Sequence, residues 1–182
     1  RKLVRLETLD VNDNLLREVP QGFGLLVELK HLNMGNNVIE HISDHLKDCP
    51  LHSFDISNNK MQELPDALEG LGKTLRELSL HENRLSFIPW ALKAFQYTKT
   101  FSMRKNQLMF LPEDLGFLTP LTILDATFNN LRRLPNTVGK LLNVTELQVN
   151  NNGIDRLPES IVKLVQLKKL NVHSNRLSML PA

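Results

Sequence analysis

The 182-residue chain is 41% hydrophobic and 23% charged, enough apolar material for a sizeable core. Its 22 basic and 20 acidic residues leave a net charge of +2, which excludes a strong overall pull toward nucleic acid or an anionic membrane. No apolar run reaches the roughly 20 residues of a membrane-spanning helix, and a single cysteine, Cys49, excludes an internal disulfide and fits a reducing compartment.

Read in chain order, one pattern, L-x-x-L-x-L-x-x-N-x-L, recurs in units starting near residues 6, 29, 51, 75, 98, 121, 144 and 167. Clear copies are LRELSLHENRL from Leu75 and LKKLNVHSNRL from Leu167. The asparagine falls at Asn14, Asn37, Asn59, Asn83, Asn106, Asn129, Asn152 and Asn175, in steps of 23, 22, 24, 23, 23, 23 and 23. Within each unit the leucines alternate with polar residues, as at Leu78, Ser79 and Leu80, which predicts a short strand with one buried face. One unit alone buries too little to offset the entropy of ordering its backbone, so the units must stack and share one core. An asparagine amide both donates and accepts, so the eight asparagines are expected to satisfy backbone groups where each strand turns away.

The second half of the unit reads L-P-x-x-L-x-x-L, as in LPEDLGFL from Leu111 and LPESIVKL from Leu157. Proline tolerates the start of a helical turn because its missing N–H is not needed there, so the far side should carry short helices or turns. Phe23, Leu46, Leu68, Leu92, Leu115, Val138 and Ile161 are expected to face the core from that side.

This pattern resembles the leucine-rich-repeat family over essentially the whole chain. The 23-residue unit with L-P resembles its intracellular, Ras-associated type, also found in LAP polarity scaffolds. The resemblance implies an α/β solenoid of about eight repeats, with a curved parallel β-sheet on the concave face and short helices or turns on the convex face. Residues 1–182 then form a single solenoid lacking terminal caps, with further repeats expected on both sides, and a cytoplasmic location.

The register decides between the candidate sites. His41, His45, Cys49 and His52 have metal-like spacing, but Cys49 occupies the slot of Leu118 and Leu141 and is expected in the core, so no metal or cofactor is assigned. His31, His81 and His173 lie in separate units without triad-like partners, which leaves no catalytic constellation. Asn143-Val144-Thr145 is a formal sequon that matters only in a secreted protein. Trp90 stands where other units have Asp66, Glu113 or Glu159, and reads either as an exposed convex aromatic or as a packing residue.

The concave face is the expected contact surface, because strand stacking sets its outward side chains about 4.8 Å apart. Its outward slots hold seven acids (Asp10, Asp13, Asp55, Glu77, Glu82, Asp125, Glu146) against three bases (Arg104, Lys105, Lys169), which favours a partner with a basic patch over a nucleic acid. The partner-binding set expected there is Glu77, His81, Glu82, Arg104, Lys105, Ile123, Asp125, Thr127, Phe128 and Asn150. Ile123 and Phe128 are apolar where polar residues prevail; Phe128 is either a binding anchor ringed by charge or a residue tucked beside Asn129.

The function expected is that of a non-enzymatic scaffold or adaptor in intracellular signal transduction, a monomer within a larger chain. Its partner is a protein such as a small GTPase, a phosphatase or another signalling protein. Two alternatives remain open: a targeting arm of a kinase, GTPase, phosphatase, cyclase or ubiquitin ligase, and an extracellular ligand-sensing ectodomain or ciliary or cytoskeletal component.

Overall fold

The computed structural model describes residues 3–64, 66–88 and 90–181, with the side chains of residues 66, 67, 90 and 91 outside the description. Each unit contributes one three-residue strand: β1 (Thr8–Asp10), β2 (His31–Asn33), β3 (Ser53–Asp55), β4 (Glu77–Ser79), β5 (Thr100–Ser102), β6 (Ile123–Asp125), β7 (Glu146–Gln148) and β8 (Lys169–Asn171). They form one parallel sheet in sequence order, without crossovers. Register is constant: Leu78 pairs with Phe54 on one side and with Phe101 on the other. A one-residue slip would turn these central side chains out of the core, so the leucine pattern fixes the pairing. The fold is the leucine-rich-repeat solenoid expected from the sequence.

Between strands the chain returns through short 3-10 helices, five residues long in six units and eight at Asp66–Lys73. Pro20, Pro112, Pro135 and Pro158 stand just before the helical turn, with extended ψ. Ser43 replaces proline in the second unit, and its hydroxyl accepts a hydrogen bond from His45 N at 3.3 Å. The two odd steps have local causes. Pro50 forces Cys49 into extended backbone (ψ 132°) where Leu118 and Leu141 have ψ 52° and 59°, which shortens that return by a residue. The longer helix Asp66–Lys73 absorbs the extra residue of the next unit.

Leu46, Leu68, Leu92, Leu115, Val138 and Ile161 are buried from the helical side as expected, while Phe23 is partly buried against the same core. Cys49 is buried, its Sγ 3.1 Å from the Phe23 carbonyl oxygen. The fifth unit departs most from the pattern. Thr98 fills a leucine slot while fully enclosed, and its hydroxyl donates to Leu75 O at 3.1 Å. Phe95, at the end of the fourth unit, and Phe101, in the fifth, are both buried and supply apolar volume on either side of the threonine.

Neighbouring helical turns approach closely through glycine. A Cβ on Gly139 would overlap Ser160 O, and one on Gly116 would lie 2.6 Å from Thr137 Cβ. Only hydrogen fits between these coils, so the small residues set the spacing of the convex side.

Candidate partner-binding face

Where each strand ends, the ladder asparagine holds the turn. Asn106 Nδ2 donates to Leu80 O (2.9 Å) in the preceding unit and to Met103 O (3.1 Å) and Arg104 O (3.3 Å) in its own, while its Oδ1 accepts from Leu85 N at 3.0 Å. Asn37, Asn59, Asn83, Asn129, Asn152 and Asn175 repeat this arrangement with their own neighbours. The Asn14 side chain, in the first unit, donates only to Val11 O and Asn12 O among the described residues.

The residue before each ladder asparagine is left-handed: Asp13, Asn36, Asn58, Glu82, Lys105, Phe128, Asn151 and Ser174 have φ between 48° and 56°. Backbone pairing enforces this, for Glu82 N donates to Arg104 O (2.9 Å), Lys105 N to Thr127 O (2.8 Å) and Phe128 N to Asn150 O (3.1 Å). The result is a row of side chains along the rim of the sheet. Asparagine, aspartate and serine suit such a slot, whereas an aromatic does not. Phe128 is nonetheless held there at φ 53° with 49% of its surface exposed.

Beside it the charges pair internally. One Glu82 oxygen accepts from Lys105 Nζ at 3.0 Å and from Arg104 Nη2 at 3.3 Å. The Lys105 hydrogen bond, with help from Arg104, outweighs partial burial and holds the Glu82 carboxyl below its ordinary range. Ser79 Oγ meets His81 Nδ1 at 2.7 Å, and Asp125 Oδ1 accepts from Thr127 N at 3.0 Å. Ile123 and Asp125 are half-buried on β6, and Glu77 is exposed on β4 with an oxygen 3.4 Å from Ser53 Oγ. Glu146 is bridged by Lys169 at 3.3 Å.

Two expected contact residues are withdrawn from the surface. Thr127 and Asn150 are 5% and 6% exposed, although His81 and Arg104, in the same slot of earlier units, are only partly buried. Asn150 Oδ1 and Arg104 Nε are enclosed without a protein partner among the described residues. The structure also brings out a feature that the count of outward slots missed: the residue preceding each strand is basic or histidine in four successive units, Lys30, His52, Arg76 and Lys99. Partial burial first, then the charges of Arg76, His31 and Lys30, push His52 below the usual imidazole range. The bases that bridge Glu82 and Glu146 are already among the three counted, so it is this row, with Lys30 itself bridged to Glu7 at 3.0 Å, that makes the face less acidic than the outward slots alone imply.

The remaining sequence candidates are dispersed. His41 and His45 are exposed, Cys49 is enclosed in the core, and the His52 ring lies edge-on to His31 with centroids 6.3 Å apart. Among the described residues no group of three or more His, Cys, Asp or Glu side chains is placed to hold a metal. Asn143 is exposed and donates to Thr119 O at 2.8 Å. The Trp90 side chain lies outside the described residues. No helix among the described residues is long and apolar enough to cross a membrane.

Comparison with known proteins places this geometry in company. The family profile described as Leucine Rich Repeat matches residues 74–95, the fourth unit. The chain is 34% identical over 92 residues to mouse leucine-rich repeat serine/threonine-protein kinase 1, a match covering 50% of this chain and 4% of the kinase. It is 36% identical over 85 residues to human oligodendrocyte-myelin glycoprotein, covering 46% of this chain and 19% of that protein. Among solved structures, a leucine-rich-repeat protein of Leptospira interrogans superposes with a TM-score of 0.93 at 28% identity, over 97% of this chain and 45% of the other. The leucine-rich effector YopM of Yersinia pestis superposes at 0.76 and 28% identity, over 97% and 46%. The chain thus spans a small part of the curated relatives and under half of these solved chains.

Proposed function

We propose that this chain, which is a leucine-rich-repeat protein, is a recognition module that holds a protein partner against its concave face near Glu77, His81, Glu82, Arg104, Lys105, Ile123, Asp125 and Phe128. The fold supports a protein–protein interaction module, and domains of this family are typically non-enzymatic.

The observation that carries the site is Phe128. Seven units place a polar residue in the left-handed rim slot, and the sixth places a half-exposed aromatic there against its conformational preference. Strain and exposure combined are a cost that packing does not explain, and a central aromatic ringed by charged groups is the usual form of a binding anchor. The bridged Glu82, Arg104 and Lys105 lie within two units of it, preorganised for a polar rim. The partner we infer is a signalling protein, for example a small GTPase or phosphatase, met in the cytoplasm by a scaffold or adaptor.

Quantitative affinity capture from cell extract tests this. The chain with Arg104→Glu, Lys105→Glu and Phe128→Ala should lose its bound proteins while retaining its fold by circular dichroism. Unchanged recovery would defeat the site. A second reading, the targeting arm of a larger signalling enzyme, is favoured by the similarity to a kinase of which the match covers only 4%; the sequence flanking this chain distinguishes the two.

A further inference from the structure

The third and fourth residues after each ladder asparagine face outward between buried slots such as Leu108 and Leu111. They lie on one lateral flank of the solenoid, apart from the concave face. Backbone bonds from Arg132 N to Met109 O (3.4 Å) and from Asp155 N to Arg132 O (3.3 Å) stack these slots unit on unit. In the fourth and fifth units three of the four flank residues are apolar, Ser86 being the fourth: Phe87, Met109 and Phe110 are 40%, 55% and 45% exposed. Three large apolar side chains gathered in adjacent units mark an interaction surface rather than scattered surface residues.

Charge is distributed unevenly about that centre. The first three units carry Glu18, Glu40 and Glu63 against Arg17 on this flank, while the last three carry Arg132, Arg133 and Arg156 against Asp155. The order acid, apolar, base is self-complementary when reversed, which is the requirement for a two-fold contact between identical chains. We propose that this flank pairs two copies of the chain antiparallel, about a two-fold axis between the fourth and fifth units.

In that arrangement Phe87 of one copy faces Phe110 of the other, and Glu63 faces Arg133. The second and seventh units bring Glu40 and His41 against Asp155 and Arg156, and Asp155 already lies 3.5 Å from its own Arg156. Specificity therefore rests on Glu63 with Arg133, and the apolar centre supplies the desolvated contact. A parallel alignment would set like charge on like and is disfavoured. Eight units at about 4.8 Å give a strip roughly 35–40 Å long. Two side chains wide, it buries on the order of 700–1,100 Å² in total, the low end for specific contacts, so the dimer is reversible and micromolar. Both concave faces stay free, which makes this pairing independent of the proposed partner site.

Sedimentation equilibrium from about 1 to about 200 µM tests the proposal, a range that brackets a micromolar constant. The expected result is a monomer–dimer equilibrium that weakens as salt is raised. Glu63→Arg alone and Arg133→Glu alone should each weaken dimerisation about tenfold or more, and the chain carrying both should recover it. Glu63 and Arg133 are exposed and make no side-chain hydrogen bond among the described residues, so folding is not at stake. A monomer at every concentration overturns the proposal, and so does a dimer that the double exchange fails to restore.

Discussion

The Asn106 amide lies 2.9 Å from the carbonyl of Leu80, 26 residues earlier in the chain, and so ties the fifth unit to the fourth. The same side chain accepts from Leu85 N, so one residue satisfies a buried acceptor and a buried donor in its neighbour. Replacing Asn106 with leucine strands Leu85 N, while Leu80 O keeps the Asn83 amide (3.1 Å) and Met103 O the Asn129 amide (3.0 Å). The expected loss is about 1–3 kcal/mol of unfolding free energy, read from urea titration. Asn14→Ala, which breaks only bonds within its own turn at an exposed site, should cost under about 1 kcal/mol. Equal effects at the two positions would contradict the ladder's role in joining units.

Phe128 makes a different prediction. Glycine adopts φ 53° without a Cβ penalty, so Phe128→Gly should leave stability unchanged or raise it by up to about 1 kcal/mol. Partner binding should fall in the same variant. A stable chain with weaker binding is expected from calorimetry and affinity capture together; a destabilised chain would show that the ring serves packing instead.

The convex side can be probed with single methyl groups. Gly139→Ala places a Cβ against Ser160 O and should destabilise by about 1–3 kcal/mol. Gly22→Ala meets nothing within 4 Å and should be neutral or mildly stabilising. Thermal melts of the two variants compare them directly.

Cys49 gives a pH dependence. Burial chiefly, with the Asp48 charge, pushes its thiol up to about 11 from 9.0. A raised value means that the folded state keeps the proton after the unfolded state has released it. The contribution to stability is therefore complete below about 9 and declines as pH rises toward 11. Cys49→Ala should flatten that decline in denaturant titrations across this window. A thiol reagent at pH 8 should label Cys49 only as fast as the chain opens, and immediate labelling of the native chain would refute its enclosure.

The fold was legible because its determinants are local and periodic. Leu78 and Leu80 alternate with Ser79, and each asparagine recurs at a step that only stacked coils explain, so strand, register and core follow without knowledge of distant contacts. The rim was less legible. Thr127 and Asn150 sit enclosed in a slot that is half-open at His81 and Arg104, and a strand period does not carry that difference. The Glu82 bridge to Arg104 and Lys105 joins consecutive units, so a tally of charges by slot reads three independent groups where the molecule has one cluster. The basic residues Lys30, His52, Arg76 and Lys99 precede the strands and fall outside any count of outward strand positions. Phe87, Met109 and Phe110 went unremarked because the proline and leucine around them signal a turn, and apolar residues in a turn draw little notice until their exposure is known.

The left-handed rim has an evolutionary corollary. Its conformation is enforced by main-chain pairing between successive coils, as from Lys105 N to Thr127 O, and not by the identity of the residue that occupies it. Apart from bonded neighbours such as Glu82 with Lys105 and Asn36 with Asn58, each coil therefore displays one letter that can be rewritten alone, with a conformational penalty confined to about 1–2 kcal/mol. A lineage could retune what this surface recognises by stepwise exchange along the row, while the interior beneath remains under unchanged selection.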